Sequence, residues 1–452
     1  MQIIIVGCGK VGATLAKSLA QEQQTDLTLI DTRPEKLEAI ADELDALTIE
    51  GNGASFHTLM EAEIEKADLL IAVTGSDELN LLCCLIAQKA GSCATIARVR
   101  NPVYSEEINF IKERLGIKMI INPEQTAAEE IARLHRVPTA IKIDNFARTG
   151  VDLLKIRVLP EHRLDGLLIS DIAEKYHLDI LVCGIENADG VTIPSGSDRI
   201  HDGDLVTILC GPENTVQLFK KIGLKSSKVR NAILIGGGTT CYYTAHALLK
   251  MNIDVKIVEK NKDRCEELSD LLPEATIING DGTDRALLLE EGLETTDSVV
   301  ALTNMDEENV FLSLYCKSKT KAKLVAKVNR LEFDDILDPL DIGSLVFPKY
   351  LTADRILRYV RAMENASGSN VETLYHILDG RAEALEFVIR DNSPVLGVPL
   401  AELHLKPSLL VGSLNRNGKT KVPRGQDTLE IGDTVIIITT QKGLKDISDI
   451  LA

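Results

Sequence analysis

Residues 3–12 read IIIVGCGKVG, an apolar run broken by Gly7, with Gly9 and Gly12 completing a G-x-G-x-x-G. An amphipathic stretch, KVGATLAKSLAQEQ (10–23), overlaps its end. Strand, glycine turn and helix in that order are the dinucleotide fingerprint in the context it requires. Gly7 permits the tight bend, Gly9 lets a pyrophosphate approach the backbone, and Gly12 lets helix and strand pack closely. The unpaired N–H groups of the turn, which also holds Cys8, Lys10 and Val11, then face the phosphates. Asp31 ends the next apolar run, LTLID (27–31), where a carboxylate accepts from ribose hydroxyls and repels a 2′-phosphate. This turn therefore favours NAD over NADP. The competing reading is a turn that keeps its glycines for packing alone.

Outward from this turn, the same landmarks recur at one offset. Gly7 and Gly236 lie 229 positions apart (236 − 7 = 229), as do Gly51 and Gly280, Thr74 and Thr303, Asn80 and Asn309, and Arg98 and Lys327. Pro194 and Pro423 keep the interval, and so do Gly203-Asp204 and Gly432-Asp433. AVTGSDELN (72–80) faces ALTNMDEEN (301–309). So many landmarks in one register make the chain of 452 residues two copies of one unit.

Each copy has two parts. In the first, short β-branched runs (IIIVG, LTLID, ALTIEG, DLLIAVT, ATIARV) alternate with amphipathic stretches such as PEKLEAIADEL, which predicts βαβ units and a parallel sheet. In the second, GVDLLKIRVL (150–159), LDILVCGI (178–185) and DLVTILC (204–210) are separated by turn signals at NADG (187–190) and HDGD (201–204). The fold class expected is α/β: two tandem Rossmann-like nucleotide-binding lobes, 1–125 and 228–350, each followed by a small α+β lobe. TAAEEIARLHR (126–136) reads as a linking helix that opens the first small lobe, 126–222; its counterpart opens the second, 351–452. KKIGLKSSKVR (220–230) reads as the linker between copies.

In an open parallel sheet, ligands sit at the carboxyl ends of the strands. Asn52, Thr74 and Gly75 lie on such loops and are expected to line one crevice. Ser76, Asp77, Glu78 and Asn80 read as helix-capping residues. Arg98, in the apolar strand ATIARV, is costly unless an anion pairs with it, whether a nucleotide phosphate or a carboxylate of the protein. The second copy is altered. Gly236, Gly237 and Gly238 are followed by Thr239, Thr240 and Cys241, so cysteine stands where the third glycine should be. Glu259 replaces Asp31 with one more methylene, Asp281 replaces Asn52, and Lys327 replaces Arg98, beside the retained Thr303. A nucleotide site with a different preference is expected there, for ATP or ADP, with NAD(H) the alternative.

Composition excludes several classes. A net charge of −18 argues against a nucleic-acid binder, whose affinity comes from Lys and Arg. No apolar run is long enough to span a bilayer. The nine cysteines form no CxxC or CxxH pattern and read as buried free thiols. The histidines recur at no matched position, and no acid/base arrangement of a dehydrogenase is visible. No metal site is expected. A sensor rather than an enzyme is left, the alternative being an NAD-dependent oxidoreductase with unrecognised catalytic residues.

The paired turns, Asp31 and Glu259, T-x2-D-E-x-N in both copies, and I-P-x-G / V-P-x-G followed by G-D-x-V together resemble the TrkA family of Trk potassium-uptake regulators. These proteins carry two tandem RCK units, and the resemblance spans essentially the whole chain. It implies a cytoplasmic subunit, peripheral on the inner face of the membrane, bound to a Trk-type membrane potassium transporter. It also implies a homo-oligomeric ring, a tetramer, that binds NAD(H) and adenine nucleotides in its nucleotide lobes. Carried over by position, the ligand residues would be the 7–12 loop, Asp31, Asn52, Thr74 and Arg98. In the second copy they would be the 236–241 loop, Glu259, Asp281, Thr303 and Lys327.

Overall fold

The computed structural model describes residues 1–20, 25–105, 107–136, 141–146, 151–160, 162–187, 190–223, 228–329, 340, 342–365, 371–378, 381–390, 393–441, 443–444 and 446–452. The linker read at 220–230, the turn at 187–190 and the end of the stretch at 10–23 lie partly outside these residues.

The apolar runs of the first lobe become six parallel strands: β1 (Gln2–Val6), β2 (Asp26–Asp31), β3 (Leu47–Glu50), β4 (Leu69–Ala72), β5 (Ala94–Arg98) and β6 (Met119–Ile121). Their order is 3-2-1-4-5-6, so the chain reverses direction across the sheet between β1 and β4. Ile3, Ile4 and Ile5 of β1 are all fully buried, and successive strand residues point to opposite faces, so both faces are covered. A crevice at the carboxyl ends of β1 and β4 follows from this topology.

The first small lobe is antiparallel, built from β7 (Lys142–Phe146), β8 (Val151–Arg157), β9 (Ile180–Asn187), β10 (Gly190–Thr192) and β11 (Leu205–Cys210) in the order 10-9-11-8-7. The second repeat reproduces both parts. Its parallel sheet holds β12 (Asn231–Ile235), β13 (Asp254–Glu259), β14 (Thr276–Asn279), β15 (Ser298–Ala301), β16 (Lys323–Lys327) and β17 (Ser344–Val346), ordered 14-13-12-15-16-17. Its antiparallel sheet holds β18 (Val371–Ile377), β19 (Ala382–Val388), β20 (Leu409–Arg416), β21 (Lys419–Lys421) and β22 (Thr434–Thr439), ordered 18-19-22-20-21.

The compact units are not the repeats. One is Met1–Ala132 with Val229–Leu357, the two parallel-sheet lobes; the other is Arg133–Lys228 with Arg358–Ala452, the two small lobes. In the first unit, Tyr243 of the second lobe donates its hydroxyl to the Arg100 carbonyl at 3.1 Å and accepts from Asn122 Nδ2 at 3.1 Å. In the second unit, Phe146, Leu153, Cys183 and Leu209 share one apolar cluster with Ile377, Leu378, Ile436 and Ile438. Each such fully buried aliphatic side chain contributes about 1.5–3 kcal/mol relative to exposure.

Candidate functional site

Gly7 adopts φ +100°, and a Cβ there would stand 2.9 Å from the Thr74 backbone nitrogen. A Cβ on Gly12 would lie 1.9 Å from the Gly7 carbonyl oxygen, so the turn and its helix (Lys10–Ala20) cannot close around any larger residue. Gly9 differs. Nothing of the protein lies within 4 Å of the space its Cβ would fill, and its φ is not in the left-handed region. Packing gives no reason for glycine there; approach of a ligand to the backbone does.

Asp31 is buried at the end of β2 and accepts the Cys8 N–H at 2.7 Å and the Arg33 N–H at 3.0 Å. Lys36 Nζ lies 3.5 Å from the same carboxylate. The acid thus orders the glycine turn and keeps unused lone pairs for hydroxyl donors. Cys8, beside it, has its thiol pushed up to about 12 by burial and by the Asp31 charge.

At the next strand ends the T-x2-D-E-x-N motif is a clamp. Asn80, fully buried, accepts the Thr74 N–H at 2.8 Å and hydroxyl at 2.7 Å, and donates to the Arg98 carbonyl at 2.9 Å. Ser76 caps the helix Asp77–Ala90. Asp77 does not cap it; its carboxylate accepts the N–H groups of Arg100 and Asn101, at 2.8 and 2.9 Å. The clamp aims two guanidinium groups. Arg98 donates to the Thr74 carbonyl at 2.8 Å and stands 3.8 Å from Glu124, while Arg100 donates to the Gly75 carbonyl at 2.8 Å and stands 3.9 Å from Glu124. Burial lowers the Arg98 pKa against the opposing pull of Glu124.

These groups line a cavity of about 910 Å³, within the range of small-molecule sites. Of the first-copy residues singled out from sequence, Gly7, Gly9, Lys10, Val11, Asp31, Asn52, Thr74, Gly75 and Arg98 face it; Cys8 and Gly12 lie behind the turn. From the second copy, Gly238, Thr239, Thr240 and Lys327 line the same cavity. Gly236, Gly237, Glu259, Asp281 and Thr303 are not among its lining residues.

The second turn repeats the geometry with exchanged parts. Gly236 has φ +100° and sits against Thr303, and Asn309 clamps Thr303 and the Lys327 carbonyl as Asn80 clamps Thr74 and Arg98. Glu259 takes the Gly237 N–H at 2.6 Å, and Arg264 donates to the Gly237 carbonyl at 2.7 Å. Cys241 is fully buried in the helix Thr239–Lys250, so this turn carries a side chain where the first cannot. Asp281 is held by Thr283, whose N–H and hydroxyl donate to it at 2.8 and 2.7 Å. Lys327 donates to the Leu302 carbonyl at 3.2 Å, and burial lowers its pKa.

Sequence reading missed Arg100, Lys36, Glu124 and Lys349 as cavity residues. Arg100 had a signal: in ARVR the two arginines alternate, which puts them on one side of an extended segment. Glu124 and Lys349 had none, because a long-range packing of helix ends brings them there. All nine cysteines are buried and free. Among the described residues no group of acids, histidines or cysteines is arranged to hold a metal, and no helix is long and apolar enough to cross a membrane.

Comparison with known proteins adds two family models, two relatives and one solved structure. The TrkA-N domain family model matches residues 3–123 and 232–348, and the TrkA-C domain model matches 153–223 and 384–452. "Trk system potassium uptake protein TrkA homolog 1" of Methanosarcina mazei is 33% identical over 99% of this chain and 99% of its own length. "Trk system potassium uptake protein TrkA" of Haemophilus influenzae is 30% identical over 98% of this chain and 96% of its own. In three dimensions, the structure described as "GsuK channel bound to NAD" superposes with a TM-score of 0.61, covering 98% of this chain and 77% of that one; at 18% identity it shows shared fold.

Proposed function

The chain belongs to the TrkA family, and from that membership we propose that it is the regulatory, non-catalytic subunit of a potassium-uptake system. It binds NAD(H) and adenine nucleotides at the first glycine turn and passes the bound state to a Trk-type membrane transporter. One observation carries this reading. A glycine turn with an open approach at Gly9, a carboxylate at Asp31 and two guanidinium groups at Arg98 and Arg100 line one cavity at the strand ends. That set matches the phosphates and ribose of a nucleotide. The GsuK channel, of the same fold, carries NAD, which supports a nucleotide in this architecture.

The subunit works from the cytoplasmic face as a homo-oligomeric ring, a tetramer. Differential affinity of the nucleotides for two ring states biases the attached transporter. The experiment is reconstitution of the full chain with a Trk-type transporter in potassium-loaded liposomes. Flux that changes on adding NADH or ATP, with neither nucleotide consumed, is the expected result. Turnover of NADH with small oxo-acids, or flux indifferent to every nucleotide, would overturn it.

A further inference from the structure

Behind the cavity the two parallel-sheet lobes share a triangle of hydrogen bonds. The Tyr243 hydroxyl donates to the Arg100 carbonyl at 3.1 Å. Asn122 Nδ2 donates to that hydroxyl at 3.1 Å and to the same carbonyl at 3.4 Å. The three residues come from three elements. Arg100 follows the end of β5, with its N–H on Asp77 and its guanidinium on the Gly75 carbonyl. Asn122 caps the helix Pro123–Arg136, its Oδ1 accepting the Gln125 N–H at 3.0 Å. Tyr243 lies on the helix Thr239–Lys250 of the second lobe, one turn past Thr239 and Thr240 and on their side of it. Tyr242 packs edge-on against its ring, with centroids 5.2 Å apart, and so limits where the hydroxyl can point. Arg100, Glu124, Thr239 and Thr240 line the cavity, and Tyr243 does not. The hydroxyl therefore touches what would touch a ligand, without reaching the ligand itself.

The repeat shows that pairing the lobes does not by itself call for a tyrosine. The residue 229 positions before Tyr243 is Thr14, and the counterpart of Arg100 is Asn329. Asn329 is held within its own lobe by Asp306, which accepts its backbone N–H at 2.9 Å and its side-chain amide at 3.2 Å. Among the described residues no hydrogen bond of Thr14 crosses to the second lobe. A guanidinium on one lobe is thus matched by a phenol from the other, and an asparagine by a threonine. Resting on the nucleotide-binding reading above, we propose that Tyr243 is a positioning residue of the first nucleotide site, tying the main chain at Arg100 to the cap of the helix Pro123–Arg136. A phosphate that draws the Arg100 guanidinium shifts the Arg100 carbonyl, and the triangle passes that shift to Asn122 and to the second lobe. The helix that Asn122 caps is the one by which the chain leaves this unit, whose first segment ends at Ala132. Linkage makes the effect mutual: if the tie strengthens binding, binding strengthens the tie.

The test is calorimetric titration of the full chain with NADH, for the wild type, Tyr243→Phe, Arg100→Gln and the double variant. Tyr243→Phe keeps the aromatic packing, removes only the hydroxyl and should weaken NADH about five-fold. In the Arg100→Gln background the same change should cost less than about two-fold, because the side chain it positions is gone. A tyrosine that only holds the lobes together gives equal losses in both backgrounds. That result, or unchanged affinity in Tyr243→Phe, would overturn the role. Should Arg100→Gln bind too weakly to titrate, hydrogen exchange with and without saturating NADH decides. NADH should slow exchange across residues 127–136 in the wild type but not in Tyr243→Phe, while both keep protection around Asp31. Protection of 127–136 that survives loss of the hydroxyl refutes the tie. The parent reading fails separately. A wild-type chain that binds no NADH refutes nucleotide binding, and the positioning role with it. NADH binding that Asp31→Ala weakens and Tyr243→Phe leaves alone refutes only the positioning role.

Discussion

Glu259 reaches the backbone N–H of Gly237 at 2.6 Å, and it does so because Gly237 has no side chain. A Cβ on Gly237 would lie 2.9 Å from Glu259 Cγ and 2.8 Å from Leu268 Cδ1. In the first repeat the shorter Asp31 makes the equivalent contact at 2.7 Å with Cys8, which does carry a Cβ. The two exchanges are coupled: a longer acid is matched by a smaller residue opposite. Gly237→Ala should therefore cost about 1–3 kcal/mol through overpacking. Adding Glu259→Asp should return part of that loss, with a coupling energy that denaturant unfolding of the four variants of the cycle measures. Simple additivity would show that the two positions do not share this space.

Asp31→Ala removes the acceptor that orders the first turn and leaves two cations without it. Arg33 Nε lies 3.9 Å and Lys36 Nζ 3.5 Å from the carboxylate, so both become available to a 2′-phosphate. NAD should bind more weakly in the variant, and the ratio of NAD to NADP affinity should fall. Calorimetry with both cofactors reads this directly. An unchanged ratio would mean that Asp31 does not face the ribose.

Asn80→Ala deletes the side chain that joins the ends of β4 and β5. The Thr74 N–H and the Arg98 carbonyl would lose their partner at a fully buried position, at about 1–3 kcal/mol for each group left unsatisfied. Arg98 would also lose its aim at the cavity. The variant should therefore weaken nucleotide binding at the first turn, while Asn309→Ala, the same lesion in the second repeat, should spare the Asp31 end. Hydrogen exchange resolved by peptide would show whether loosening stays within the lobe that was changed.

Local chemistry made much of this legible. Short β-branched apolar runs and glycine spacing located the strands and turns, and a constant interval exposed the repeat. Asp31 and Glu259 were visible because the end of a second strand is a fixed place in the fold. The short strands β6 and β17, of three residues each, carry too little pattern to be read. Asn80 was seen as part of a motif, but its bonds to Arg98, 18 positions on, depend on how β5 lies beside β4. Above all, the pairing of like lobes across repeats is a property of side-chain packing. No periodicity within one repeat reveals that Lys327 faces the turn of the other.

The last prediction concerns Lys323, on β16, which donates from Nζ to Ser344 Oγ on β17 at 2.9 Å. Its counterpart 229 positions earlier is Ala94, so the first repeat manages the same strand without a charge. Burial pushes the Lys323 pKa down from 10.5 to about 7. The sign follows from proton binding. Between about pH 7 and 10.5 the unfolded chain holds this proton and the folded chain does not, so this group makes stability rise with pH through that window. Below about 7 both states are protonated and the full cost of a buried ammonium is present. Lys323→Met keeps the length of the side chain and removes the charge. It should stabilise the protein near pH 6, by more than about 1 kcal/mol, and flatten the rise between pH 7 and 10. Denaturant midpoints across that range compare the two proteins. Parallel pH profiles would show that Lys323 keeps an ordinary pKa in the fold.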